Sequence, residues 1–423
     1  MSKLGGLTFI HVSDIHFVKN SGDPYDIDEE LREAMLIDLN QFAKPTLGKI
    51  DGILICGDIA FSGKKNEYDI SKTFLDSIVH IFELQNQDIY CVAGNHDVDQ
   101  SVIQKSYIIQ VLHDNLRGVK DSLQLDEKLR RIQKDEILNI KEGVLYKAIE
   151  EYNKFSQPMS CNYTVDKPNW STSLRLDDKY YLKIHGMNSV LTSNHLDHYD
   201  DNGRRYDGEM ERHMSINRKQ IPRLKENTIN MTLCHHPIEC WNDPDLASYV
   251  DNRVMIQLYG HKHKQSIDSN ERRIRICSGA LQPERGNGWQ PMYNWINIWI
   301  ENNQLIVRIY PRKYDDHKGR FIADHASCDG DQDYLTQCIL IDDNPEVVMD
   351  DAQKEEEDFV RRTNATTKEI VYLFSVLSDS KQKAVLKQFP SIQYGIEQDI
   401  DILVSQIEAQ SIQNQFLQVL KEA

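Results

Sequence analysis

Val254-Met255-Ile256-Gln257-Leu258-Tyr259-Gly260-His261-Lys262-His263 is a short apolar run that ends in a glycine turn carrying two histidines. Histidines at i and i+2 on such a turn can aim both imidazoles into one cavity. Alone, a His-x-His pair carries little weight, because most histidines are surface or core residues. The same arrangement recurs elsewhere in the chain. Asp14-Ile15-His16, Gly57-Asp58, Gly94-Asn95-His96-Asp97 and His235-His236-Pro237 each follow an apolar, strand-like run.

Those runs set the fold class. Leu7 to Val12, Ile53 to Cys56 and Ile89 to Ala93 read as three strands. Leu31, Met35, Leu39 and Phe42 share one helical face between the first two, and Phe74, Ile78, Ile81 and Phe82 form a stripe before the third. Strands alternating with helices predict βαβ units and a covered sheet, with functional residues at the carboxyl ends of the strands. Further strands are expected at Tyr180–Gly186, Asn230–Cys234, Val254–Leu258, Ile274–Cys277, Asn294–Ile300 and Leu305–Tyr310. The last two frame a hairpin around Glu301-Asn302-Asn303. Few helices separate these later strands, which suggests a second sheet packed on the first.

The chain has 423 residues and a formal net charge of −17. That length allows one large domain with an appended smaller unit. That charge argues against coating nucleic acid or an anionic membrane through the average surface. Neither a signal peptide nor a membrane-spanning run is expected. Eight cysteines without a C-x-x-C pair, several of them inside apolar runs, read as buried free thiols in a cytoplasmic protein.

The expected organisation is a catalytic domain over 1–312, a linker over 313–350 and a helical module over 351–423. Within the first, about 98–162 is charged and strand-free, with Leu129, Ile132, Ile137, Leu138, Leu145, Ala148 and Tyr152 suggesting amphipathic helices. This helical insertion reads as a cap beside the site or as a decoration. Ser193 to Asp207, with His195, His198, Arg204 and Arg205, reads as a solvated loop or a lid over substrate. In the tail, Ile370, Leu373, Phe374 and Leu377 form one stripe and Ile396, Ile400, Leu403 and Ile407 another, with Pro390 between them. A small helical unit there either docks on the main domain or recruits a protein partner.

Carboxylate, amide and imidazole donors at strand ends can hold two divalent cations. Asp58 is the natural bridge, since its two oxygens can serve both ions. Nitrogen and oxygen donors without thiolate suit manganese, expected first, or iron, zinc or nickel. Two ions about 3.5–4 Å apart clamp the attacking and leaving oxygens of a phosphoryl group and lower the pKa of a water. That chemistry is metal-assisted phosphoester hydrolysis.

Asp14-x-His16, Gly57-Asp58, Gly94-Asn95-His96-Asp97, His235 and Gly260-His261-x-His263 occur in the order of the calcineurin-like metallophosphoesterase family, and the chain resembles that family from about Leu7 to His263. The resemblance implies a four-layer α/β fold, two packed mixed β-sheets flanked by helices. It also implies a first metal held by Asp14, His16, Asp58 and His263, and a second held by Asp58, Asn95, His235 and His261. His96 would touch the phosphate or protonate the leaving group, a role suited to imidazole. Asn95 would join it in binding substrate. His235 is expected to be the ligand and His236 its neighbour. Asp97 is expected to orient His96 or to be an exposed turn acid, and His11 to be a core residue. Lys262 and Lys264 either attract an anionic substrate or are solvated. Arg285 and Trp289 follow the Ile274–Cys277 run and could approach a nucleotide, which nothing in the sequence itself shows.

Gly57-Asp58-Ile59-Ala60-Phe61-Ser62-Gly63 and His235-His236-Pro237 look most like the bacterial branch that includes class III cyclic-nucleotide phosphodiesterases. Ala60-Phe61-Ser62 and Asp97 depart from the protein phosphatase pattern, and Phe61 stands where a purple acid phosphatase carries its tyrosine ligand. The expected function is a dinuclear phosphodiesterase acting on a nucleotide or cyclic nucleotide. The alternatives are a DNA or RNA nuclease of the same family, and an interaction protein whose helical tail brings a partner to a phosphoesterase domain.

Overall fold

A computed structural model of the chain describes residues 6–18, 24–135, 143–164, 167–194, 197, 214–282 and 290–341, and parts of 370–422. Among the described residues, thirteen strands lie in the first unit, Met1–Asp343. They are β1 (Leu7–Val12), β2 (Gly52–Cys56), β3 (Ile89–Val92), β4 (Trp170–Arg175), β5 (Tyr181–Gly186), β6 (Thr228–Cys234), β7 (Ile256–Tyr259), β8 (Ser266–Ser269), β9 (Ile274–Cys277), β10 (Met292–Glu301), β11 (Gln304–Asp315), β12 (Arg320–Ala323) and β13 (Leu335–Leu340).

One sheet runs β12-β11-β10-β1-β2-β3, with β13 also paired to β11. β1, β2 and β3 are mutually parallel, while β1–β10 and every pairing of β11 are antiparallel. The second sheet runs β4-β5-β6-β7-β9-β8, parallel from β5 through β9 with an antiparallel strand on each edge. Both sheets are therefore mixed, and β2 and β3 pack against β5 and β6. Side-chain alternation explains how the second sheet is covered twice. Leu233 and Leu258 point into the core shared with the first sheet, and their neighbours Cys234 and Tyr259 into an apolar cluster with Trp241, Leu246 and Val250.

Helices complete the layers. α1 (Glu29–Asp38) continues through a π-turn into α2 (Lys44–Leu47), and α3 (Lys65–Phe82) follows β2. Met35 from the first, Leu39 from the π-turn and Phe74, Leu75 and Ile78 from the third join the shared core. The segment after β3 folds as α4 (Gln100–Lys105), α5 (Tyr107–Arg117), α6 (Ser122–Lys134) and α7 (Glu150–Ser156), while Ile137 and Leu138 lie outside the described residues. Asn242 donates to the carbonyl of Arg117, and Asn217 to Asp126 at 2.5 Å. The insertion thus packs on loops that leave the carboxyl ends of β5 and β6. α8 (Leu246–Arg253) lies between β6 and β7.

The linker expected from Lys313 is not one. Lys313 to Asp315 belongs to β11, and β12 and β13 pair with it in register. In β13 only Ile339 is fully buried, so an edge strand held chiefly by backbone hydrogen bonds left almost no apolar period to read. The polar edge strands β4 and β8 escaped sequence reading for the same reason.

The second unit, Asn344–Ala423, has its own cluster of Ile370, Phe374, Val385, Leu403, Ile407, Phe416 and Leu420. It includes α9 (Asp379–Leu386) and α10 (Gln413–Glu422). Among the described residues no helix is long and apolar enough to cross a membrane.

Candidate metal centre

Each site residue leaves the carboxyl end of a strand. Asp14 and His16 follow β1, Asp58 follows β2, Asn95 and His96 follow β3, His235 follows β6, and His261 and His263 follow β7. The chain turns sharply at these points. Asp14, His16, Asp58, His261 and His263 all hold positive φ, between 52° and 71°. That region costs a non-glycine residue roughly 1–2 kcal/mol, and such strain gathers where the surrounding structure over-determines the backbone. Here the determinants are visible. The N–H groups of Ile15 and His16 both donate to the Asp58 carbonyl, and the N–H of Leu281 donates to the Ser13 carbonyl.

Two glycines bring the turns together. A Cβ on Gly94 would stand 2.1 Å from Asp58 Oδ1, and one on Gly260 would stand 2.0 Å from Ser13 Oγ. Only hydrogen at these positions lets the β3 and β7 loops close on the β1 and β2 loops.

The result is two groups of donors that meet at one carboxylate. Asp14, His16, Asp58 and His263 offer atoms within 4.8 Å of one another. His16 Nε2 lies 3.2 Å from His263 Nε2, which is 3.3 Å from Asp14 Oδ1. On the other side, Asn95 Oδ1 is 2.9 Å from His235 Nε2 and 3.1 Å from His261 Nδ1. Asp58 Oδ2 faces both groups, 3.9 Å from His16 Nε2 and 3.4 Å from His235 Nε2.

The hydrogen-bond chemistry of this arrangement fits a cation. His235 Nδ1 donates to the Cys56 carbonyl at 2.8 Å, which fixes its tautomer and turns the Nε2 lone pair inward. Nε2 then faces Asn95 Oδ1, Asp58 Oδ2 and His261 Nδ1, an arrangement that a positive charge at this point would satisfy. Electrostatics says the same. Burial opposes a charge on His235, yet the Asp58 and Asp14 carboxylates pull its pKa up to about 9. Burial lowers His16 to about 4 and, with the nearby His235, lowers His261 to about 3. Burial works against ionisation of Asp58 too, but His235, His96 and His16 hold it well below the usual carboxylate range. The donor set is nitrogen and oxygen only, which suits manganese, iron, zinc or nickel.

His96 sits beside these groups. Its N–H donates to Asp58 Oδ1 at 2.8 Å, and its Nδ1–H donates to the Phe61 carbonyl at 2.7 Å. The second bond leaves Nε2 as the position where the ring gains or loses a proton. The ring lies 4.7 Å from that of His16.

Other expectations resolve differently. Asp97 is fully buried and is neither an exposed turn acid nor a partner of the His96 ring. It accepts from the backbone N–H groups of Gly94, Ala60 and Ile59 at 2.8, 2.9 and 3.2 Å and from Tyr68 Oη at 2.8 Å. It therefore ties the β3 loop to the β2 loop, while burial and the Asp58 charge push its pKa up to about 6. His236 Nδ1 lies 2.9 Å from Ser189 Oγ, although its ring also falls in one group with His235 and His261. His11 is a core residue beneath β1, its pKa pushed down to about 3 by burial. Lys262 reaches Glu239 at 3.6 Å. His195, His198, Arg204, Arg205, Arg285 and Trp289 lie outside the described residues.

Sequence reading missed Ser13, whose hydroxyl donates to the Cys56 carbonyl at 2.9 Å, together with that carbonyl, Tyr68 and Ser189. None carries a motif of its own. Only Ser13, next to Asp14, had a positional signal.

The chain is 22% identical over 312 residues to the uncharacterised metallophosphoesterase-like protein YydB of Bacillus subtilis, a stretch covering 71% of this chain and 59% of that protein. It thus spans well under two thirds of that relative. Among solved structures it is similar to zinc-complexed Vps29 of Entamoeba histolytica, with 12% identity, 78% of this chain and 99% of that chain covered and a TM-score of 0.32. It is also similar to a putative 5'-nucleotidase of Staphylococcus aureus, with 12% identity, 84% and 58% covered and a TM-score of 0.32. The model of the calcineurin-like phosphoesterases matches residues 7–265, a span that takes in β1 through the turn after β7 and every residue of the two donor groups. With more than half of its length matched in this way, the chain belongs to the calcineurin-like phosphoesterase family.

Proposed function

We propose that this protein is a dinuclear metal-dependent phosphodiesterase acting on a nucleotide or cyclic nucleotide. The observation that carries the reading is the single Asp58 carboxylate facing two groups of inward-turned donors, with His96 fixed beside it. Asp14, His16, Asp58 and His263 would hold one ion, and Asp58, Asn95, His235 and His261 the other, with manganese ahead of iron, zinc or nickel. Such ions, when bound, polarise a phosphoryl group and lower the pKa of a water enough for attack at neutral pH.

The chain's own groups do the rest. Asp58 fixes the spacing of the two ion positions. The Phe61 carbonyl holds the His96 ring so that Nε2 faces the departing ester oxygen and supplies its proton. Asn95 and His96 bind the phosphoryl oxygens. The buried walls around Asp14, Asp58 and His235, each at most 1% exposed, limit water and keep these interactions strong.

Phe61 and Asp97, in place of the residues found in protein phosphatases and purple acid phosphatases, favour the phosphodiesterase branch. The separate helical unit Asn344–Ala423 favours an added partner-binding role.

The test is Asp58→Asn, assayed on bis-p-nitrophenyl phosphate with metal content measured in parallel. Turnover and bound metal should both fall. Full turnover with two ions bound would overturn the assignment. Screening the wild type against cyclic nucleotides and single- and double-stranded DNA separates the small substrate from a nuclease, since a polymer contact would also steepen the salt dependence.

A further inference from the structure

Phe61 has a large ring left 45% exposed, on a stretch whose preceding residues Ile59 and Ala60 are fully buried. An exposed aromatic is ordinary on a surface. This one lies beside the reacting groups, its ring 5.1 Å from that of His96 and 6.1 Å from that of His16.

Its backbone is also fixed from every side. The Phe61 N–H donates to the Phe17 carbonyl at 3.0 Å, and its carbonyl accepts from His96. On one flank the N–H of Ala60 is held by Asp97. On the other, the N–H and hydroxyl of Ser62 are held by Glu67 at 3.0 and 2.6 Å. These bonds fix the Cα from which the ring projects beside His96. The ring stands ready for a ligand.

We propose that Phe61 is a specificity-determining residue, a stacking shelf for the planar aromatic group of the phosphoester substrate, such as a nucleobase. The inference rests on the phosphodiesterase reading. One residue would then serve twice: its carbonyl orients His96, and its ring receives the group attached to the ester. An aliphatic ester has no flat face to lay on the ring and forfeits that contact.

The test compares Phe61→Ala and Phe61→Trp with the wild type, both retaining the backbone carbonyl. The metal-loaded proteins are assayed on bis-p-nitrophenyl phosphate, on cyclic AMP and on glycerophosphocholine, a diester without an aromatic group. Loss of base–aromatic stacking should lower the preference for the aromatic esters over the aliphatic one on the order of tenfold in Phe61→Ala, and Phe61→Trp should retain it. An unchanged preference would overturn the proposal.

A second readout does not depend on turnover. Saturation transfer from protein to the base protons of AMP should be strong in the wild type and weak in Phe61→Ala. Equal transfer in both proteins would overturn the shelf. If the metal-loaded wild type cleaved none of the diesters, the phosphodiesterase reading would fail, and the AMP experiment would still decide whether the ring receives a base.

Discussion

Replacing Gly94 with alanine should disable the site while leaving the fold largely standing. Gly94 has φ −106° and ψ 179°, extended backbone open to any residue, so the substitution adds no torsional strain. Its effect is purely steric. The new Cβ would meet Asp58 Oδ1 at 2.1 Å and the Asp58 backbone nitrogen at 2.4 Å, whereas ordinary contact begins at 3.4 Å. The two loops must therefore part by about 1 Å, the shortfall from van der Waals contact. A flexible side-chain tip would give way cheaply, but the backbone nitrogen cannot.

The same shift strains the bond from the His96 N–H to Asp58 Oδ1 and moves Oδ2 relative to His16 and His235 together. Overpacking of this kind costs about 1–3 kcal/mol of stability. A misplacement of about 1 Å at reacting groups costs about 100-fold in rate. The assay is kcat/KM on bis-p-nitrophenyl phosphate, with bound metal and the thermal midpoint measured on the same preparation. Gly118→Ala is the control, because its nearest contact would be 3.7 Å. Gly94→Ala with two bound ions and kcat/KM within threefold of wild type would refute the steric argument.

His96→Ala should keep its metals and lose about 100- to 10,000-fold in rate, the range for removing a general acid; loss of metal instead, seen by elemental analysis, would make His96 a ligand. Stability should fall as the medium is acidified below pH 6.5. His113 and His185 are buried, and burial lowers both to about 4, with Arg117 adding to the effect at His113. Unfolded histidine takes its proton near 6.5, so between these values the unfolded chain binds more protons and gains on the folded one. Two to three pKa units correspond to about 3 kcal/mol for each residue by pH 4. Both ring nitrogens of His113 lack a hydrogen-bond partner among the described residues, so His113→Leu should flatten this acid limb in denaturant titrations between pH 7.5 and 5. A midpoint that holds steady or rises toward pH 5 in the wild type would contradict the assignment.

The sequence by itself carried the chemistry. Runs such as Ile53 to Cys56 are buried on both faces, so apolar continuity marked them, and the polar residues that end them stood out by contrast. That was enough for the chain order of the apolar strands and for the placement of the candidate ligands at their carboxyl ends. It failed at β4, β8, β12 and β13, which are held at sheet edges by backbone hydrogen bonds that no side-chain pattern records. Tertiary structure alone decided how the ends converge. The shared facing of Asp58, the anchoring of His235 on the Cys56 carbonyl and of His96 on the Phe61 carbonyl, and the burial of Asp97 under Tyr68 all join residues far apart in the chain. Carbonyls are present at every position and N–H groups at every one but proline, so nothing in the sequence marks which of them a fold will bring to its site.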